Sequence, residues 1–432
     1  MYTLFLAPLV AATIVASAVV YSFGGLPVDS LDYASFIKQR TMLLDTILKH
    51  NPGLQAARSR VDIAKESVKT ITLDPPQFGL ELFQSPVKYF PNIFKEQMEV
   101  DYSIQQMFPF PGKLSSMTKA ESYKATMREA EVMVLSKEIA LQFAKTYNDV
   151  YLIDRYIELN SQSRDLLNTI IIIARKRYES GLGNQTEILR AQSEYSTLLL
   201  DSITLSQNRV AAQAMICALL PSSILMTIPY IPHIAFPITH HTSVDTAHMS
   251  FPDITAMKIG TDMITAEKIA AKKEYYPDIM VRGMYKQMIH SSDDWSLMLG
   301  LTIPVAPWSI GKFKAQENRL QAQLRESQQQ IDNMQSMFRA RFYDAQSRVE
   351  RFTAQADFYL STLIPQATQT TTAAISAYQN GMGDLLMVLD SQKMLIMTKK
   401  DYQMTIMNLL NAYADIDRLH NDSPAGQSID RR

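Results

Sequence analysis

The chain has 432 residues, with 42 Lys and Arg against 43 Asp and Glu; this near-cancellation leaves neither the basic footprint of a nucleic-acid binder nor an acidic solvating tail. Only 14 glycines occur, while Ala, Gln, Met and Leu are plentiful, the bias of a chain dominated by long helices. The single cysteine, Cys217, excludes an intrachain disulfide and a Cys-based metal site built by one chain; within the apolar helical pattern from Ala211 to Leu220 it reads as a buried, inert thiol.

The N-terminal apolar run from Leu4 to Phe23 carries small residues Ala16, Ser17 and Ala18 where a signal peptidase cuts, so residues 1–25 read as an export leader. No Lys or Arg precedes the run, and a retained membrane anchor is the other reading. No later stretch is apolar over the length of a spanning helix, so deeper membrane insertion requires strands.

From there the chain repeats itself with a shift of about 200 residues. Asn51-Pro52 opens a helical stretch through Lys69, and Phe251-Pro252 opens one through Glu274. Alternating sequence follows in both halves. Phe78, Leu80 and Leu82 alternate with Gln77, Gly79 and Glu81, and Val100, Tyr102 and Ile104 with Asp101, Ser103 and Gln105. In the second half Ile279, Val281 and Tyr285 alternate with Met280, Arg282 and Lys286, and Trp295, Leu297, Leu299 and Leu301 with Ser296, Met298 and Gly300. Strands of about ten residues cross a bilayer when tilted, and Phe83, Tyr89, Phe90, Tyr285 and Trp295 stand near their ends as interfacial aromatics do. Four strands are too few to close a transmembrane barrel, so several chains must share one.

A Pro-Gly stop then precedes a new helix: Phe108 to Lys113 in the first half, Pro304 to Lys312 in the second. Between Lys113 and Leu220 the only glycines are Gly181 and Gly183, and between Lys312 and Asp422 only Gly381 and Gly383. Two long helices are therefore expected to meet at each glycine pair. The arm from Leu114 to Ser180, about 65 residues, extends on the order of 100 Å. Pro365 is expected to kink its helix. Val132, Leu135, Ile139, Phe143, Tyr147 and Val150 form a coiled-coil-like stripe, as do Tyr402, Ile406, Leu409, Tyr413 and Ile416. Leu141, Ala144 and Tyr151 need neighbours beyond their own hairpin.

This combination resembles the TolC family of outer-membrane factors, from about Gln39 to Leu419. The resemblance is carried by Asn51-Pro52, the Pro-Phe-Pro-Gly-Lys-Leu run from Pro109 to Leu114, the two Tyr-x-x-Gly turns, and the run from Gly381 to Asp390 that ends Val-Leu-Asp. Its Pro-Phe-Pro-Gly-Lys-Leu form is similar to the heavy-metal and cation efflux branch. The resemblance implies a mainly α chain with a membrane β part, built as two tandem repeats, each a long helical hairpin plus two strands. It also implies a homotrimer sharing a twelve-stranded barrel above an α-helical tunnel. Residues 39–221 are the first repeat, 222–250 a linker, 251–420 the second repeat and 421–432 a disordered tail.

By the same resemblance the chain is the outer-membrane conduit of a tripartite efflux or type I secretion system. It passively exports what an inner-membrane pump and a periplasmic adaptor deliver, from an outer membrane with a periplasmic extension. The turns Tyr178, Gly181, Leu182, Gly183 and Tyr378, Gly381, Met382, Gly383 take the adaptor-docking role; as residues alone they are equally well plain hairpin connections. Asp390 matches a gate carboxylate of the family, Met387 stands where another is often found, and Glu187 and Tyr378 match positions that pair across coils. Read by themselves, these are solvated helix-face side chains.

His240, His241 and His248 lack the Cys or carboxylate partners of a metal site, and the 24 methionines, conceivable copper ligands, are scattered at helical spacing as adaptable packing. No phosphate loop, nucleophile elbow or zinc signature occurs, so neither catalysis nor a cofactor is expected. The competing reading is a non-transporting coiled-coil scaffold, periplasmic or membrane-anchored.

Overall fold

The computed structural model describes residues 19–22, 33–83, 88, 99–222, 224–231, 251–288, 291–304 and 310–419. Tyr89, Phe90 and the three linker histidines lie outside them, as do 1–18 of the expected leader and the tail. The chain folds as two compact units, one holding most of the helical length and one holding the main sheet.

Along the chain, α1 (Tyr33–His50) begins ahead of the expected boundary at residue 39 and is followed at once by α2 (Pro52–Lys69). Asn51 makes that junction. Its Oδ1 accepts from the Leu54 N–H at 3.0 Å, an N-cap with proline at the first helical position. Its Nδ2 donates to the Leu219 carbonyl at 2.8 Å, tying the junction to the far end of the first hairpin. The hairpin is α3 (Lys113–Glu179) and α4 (Gln185–Cys217). The 67 residues of α3 run without a break, about 100 Å at the α-helical rise, as the absence of Pro and Gly dictates. Cys217 is half-buried at the end of α4.

The second hairpin is α6 (Ile310–Phe358), α7 (Ile364–Gln379) and α8 (Leu385–Leu419). The kink expected at Pro365 takes the form of a π turn over Tyr359–Leu363. Proline lacks an N–H and crowds the carbonyl four residues back; one widened turn just ahead of it absorbs both defects, with the Ile364 N–H reaching the Tyr359 carbonyl. The expected stripes are occupied as apolar seams. Ile139, Phe143, Tyr147 and Val150 are buried, as are Tyr402, Ile406 and Leu409. Tyr151 finds its neighbours inside the same chain, its ring edge-on to Phe36 of α1 and its hydroxyl 3.3 Å from Gln403 of α8.

The expected linker, residues 222–250, is structured at its start. β4 (Ile224–Thr227) pairs in parallel with β1 (Val19–Ser22), and the next four residues are pinned to the hairpin by a buried ionic cluster. Asp154 of α3 is wholly buried and accepts from Arg209 Nε at 2.6 Å and from the Ile231 N–H at 2.9 Å. Arg209 Nη2 donates to the Ile228 carbonyl at 3.1 Å. Arg155 donates to the Ile231 carbonyl, with its guanidinium 5.4 Å from the Tyr230 ring centroid.

The sheet unit holds α5 (Pro252–Lys273) and four antiparallel strands in the order β2 (Gln77–Phe83), β3 (Glu99–Phe108), β5 (Asp278–Met288), β6 (Asp294–Thr302). The register puts the expected apolar residues on one face: Leu80, Tyr102, Tyr285 and Trp295 form one row, Phe78, Ile104, Gly283 and Leu297 the next. Phe78 and Trp295 are each 79% exposed, so this apolar face is bare. The opposite face carries Glu81, Asp101, Lys286 and Asp294 in one row, where Lys286 pairs with Glu99 at 2.7 Å.

The Pro-Phe-Pro-Gly-Lys run turns β3 into α3. Gly112 takes a positive φ of 84°, which costs glycine nothing. Asp278 accepts from the Phe110 N–H at 2.9 Å and pairs with Lys113 at 3.0 Å. Phe110 stacks on Tyr276 with centroids 4.4 Å apart.

Candidate functional site

Both helix turns close in the same way. In the first, the Leu182 N–H donates to the Arg177 carbonyl at 2.9 Å and the Gly181 N–H to the Tyr178 carbonyl at 3.0 Å. In the second, Met382 donates to Ala377 at 2.9 Å and Gly381 to Tyr378 at 3.2 Å. This is the Schellman closure, which requires a left-handed residue just past the helix end; Gly181 and Gly381 supply φ values of 75° and 78°.

The second glycine of each pair answers a different need. A Cβ at Gly183 or Gly383 would sit 3.1 Å from the backbone nitrogen of Tyr178 or Tyr378, so a side chain there would have to push the turn's backbone by a few tenths of an ångström. A Cβ at Gly181 meets nothing within 4 Å. Gly181→Ala therefore pays only for the left-handed backbone, about 1–2 kcal/mol, read as a lowered denaturation midpoint with the helix content kept.

Leu182 and Met382 project from the turns as exposed apolar side chains, and Tyr178 is exposed beside them. Tyr378 is buried at the end of α7 among Leu167, Ile170, Ala174, Leu385 and Val388. Its hydroxyl donates to Glu187 Oε2 at 2.6 Å, bridging α7 to the first turn of α4. Burial first, and the acceptor carboxylate second, push this phenol above its ordinary value, so it stays a donor at neutral pH.

Arg177 completes the cluster, and the sequence reading misses it. Its guanidinium lies 4.5 Å from the Tyr378 ring centroid and donates to the Tyr378 carbonyl, while Nη2 donates to the Leu182 carbonyl at 3.1 Å. One cation thus staples the two turns together. The available signal was a break in the repeat, since the matching position in the second half is Ala377. Asp390 and Met387 stand outside the cluster, exposed on α8. Among the described residues no group of His, Cys, Asp and Glu could hold a metal ion, and no helix is long and apolar enough to cross a membrane.

Residues 43–221 match the model of the outer membrane efflux protein family. No curated protein matches this chain by sequence. Solved structures do match by fold. The outer-membrane channel OprN superposes with a TM-score of 0.74 over 90% of this chain and 90% of that one, at 14% identity. The outer membrane protein VceC of Vibrio cholerae gives 0.72 over 88% and 95%, at 17% identity. The Campylobacter jejuni CmeC outer membrane channel gives 0.69 over 95% and 93%, at 12% identity. The fold of this chain is that of these channels: mostly helix, with a small sheet.

Proposed function

We propose that this chain is the conduit of a tripartite efflux or type I secretion system, a passive channel fed by an inner-membrane pump through a periplasmic adaptor. The observation that carries the reading is the sheet. One face is apolar and bare, the other carries charge, and β2 and β6 each pair on one side only. Edge strands with open hydrogen-bonding groups cannot face lipid, and three copies of a four-stranded sheet close a twelve-stranded barrel.

The remaining assignments follow from it. Residues 1–25 are the leader that exports the chain, and 39–221 and 251–420 are the two repeats joined by 222–250. The turns at Gly181 and Gly381 offer Leu182 and Met382 as apolar knobs to the adaptor. Tyr378 and Glu187 latch the tip, and Asp390 from each copy forms an acidic ring near Met387 that attracts cations.

The test is single-channel recording of the purified oligomer in a planar bilayer. A homotrimer that conducts is expected, and Asp390→Ala is expected to relieve block by polyvalent cations added from the tip side. A monomer that gives no current would return the chain to the scaffold reading. Photo-crosslinkers at Leu182 and Met382 are expected to capture one adaptor protein at both turns.

A further inference from the structure

The exposed side of α8 carries a regular apolar pattern. Met387, Asp390, Met394, Met397, Asp401 and Met404 succeed one another in steps of 3, 4, 3, 4 and 3 residues, an unbroken heptad seam. All six are exposed, the methionines by 59%, 60%, 58% and 39% in chain order. In an ordinary coiled coil such a seam is buried by a partner helix. Two aspartates on it oppose burial of that kind.

The choice of residue is equally informative. The buried face of α8 is built mainly from Leu385, Val388, Leu389, Leu395, Ile406 and Leu409, with Met407 as its one methionine. On α4, the exposed apolar side chains include Leu189, Leu199, Leu200, Ile203 and Val210, branched aliphatics suited to packing against a neighbouring helix. On the α8 seam every apolar position is a thioether. Reading the methionines as packing does not describe these four, whose side chains lack cover within the chain.

We propose that this seam is a thioether–carboxylate track for a soft monovalent metal ion, copper(I) or silver(I). Thioethers prefer soft cations over the hard and borderline ions that carboxylates and imidazoles take. Met394 and Met397 lie three residues apart, and side chains at that spacing on a helix are neighbours about 5–6 Å apart at Cβ. Asp390 and Asp401 flank this pair at four residues on either side and concentrate cations without competing for a soft one.

The inference rests on the conduit reading, in which the seam that holds Asp390 faces the channel axis and three copies bring matching methionines to one level. It assigns the substrate class that the pump's own selectivity otherwise leaves open. Weak, repeated sites of one kind let an ion enter and still leave.

The test uses the full-length oligomer carrying Cys217→Ser, so that no thiol is present, in chloride-free buffer with silver nitrate as the probe. Silver K-edge absorption is expected to show a sulfur shell. Met394→Leu with Met397→Leu, which keeps volume and helix packing, is expected to weaken silver binding about tenfold or more while magnesium block is unchanged. In planar bilayers silver is expected to reduce the potassium current of the parent and not of the double variant; the milder single variant Met394→Leu serves if the double variant fails to assemble. Equal silver affinity in parent and variants, or no sulfur shell in the parent, overturns the track. A potassium current indifferent to silver sinks the track alone, whereas no potassium current at all sinks the conduit reading with it.

Discussion

Replacing Asp154 with alanine is expected to destabilise the helical unit by about 3–5 kcal/mol, the range for breaking a buried ion pair by removing one partner. The variant leaves Arg209, whose side chain is only 21% exposed, without its carboxylate, and orphans the buried Ile231 N–H. Residues 228–231 lose their main hold on α3, so limited proteolysis is expected to cut there before the helices unfold. Asp154→Asn keeps an acceptor of the same shape and is expected to be milder. The pH dependence has a definite sign. Burial lifts the Asp154 carboxyl above its ordinary value against the opposing pull of Arg209 and the Ile231 N–H. A folded value above the unfolded one means the folded chain holds this proton more tightly. The proton-linked part of the stability is therefore fullest below about pH 4 and declines as pH rises through the folded value, while the bonds from Arg209 and the Ile231 N–H hold the ionised form. Urea denaturation across pH is expected to show this slope in the parent and its loss in Asp154→Ala.

Removing the Tyr378 hydroxyl has the second-largest expected effect. Tyr378→Phe deletes a 2.6 Å hydrogen bond to a carboxylate while keeping the ring beneath Arg177. Hydrogen bonds to charged groups contribute about 1.5–3 kcal/mol, which here is lost from the bridge between α7 and α4. Faster amide exchange over 374–389 and longer open times in single-channel records are the expected readouts. Glu187→Gln added to Tyr378→Phe is expected to do little more, because both act on one bond. Additive effects would separate the two residues and dissolve the latch. Because the phenol is raised, its bond persists through neutral pH and is lost only in strong alkali.

What could be read in advance depended on how locally each feature is encoded. The glycine pairs, the Asn51-Pro52 junction and the strand alternation are written in adjacent residues, and each stands in the structure where the spacing put it. The Pro365 defect was legible as to place but not form, since proline forbids one hydrogen bond without saying whether the helix bends or widens. Asp154 and Arg209 are 55 residues apart on two helices, and no periodicity marks a buried carboxylate among the polar residues of a long arm. Arg177 was hidden because its partner lies 201 residues away on the other hairpin. The Glu187–Tyr378 pairing came from family resemblance, and residue pattern alone would have left both as surface side chains. The methionine seam was present as spacing, but only exposure separates thioethers that face water from those that pack.

The two half-paired rims and oily face of the sheet make a solitary copy of this protein a poor solute. Until its siblings arrive, each rim is a template for any passing strand, its own kind in the wrong register included. Assembly of the proposed oligomer is thus a race between correct closure and tangling, which a slow trickle of synthesis favours over a burst.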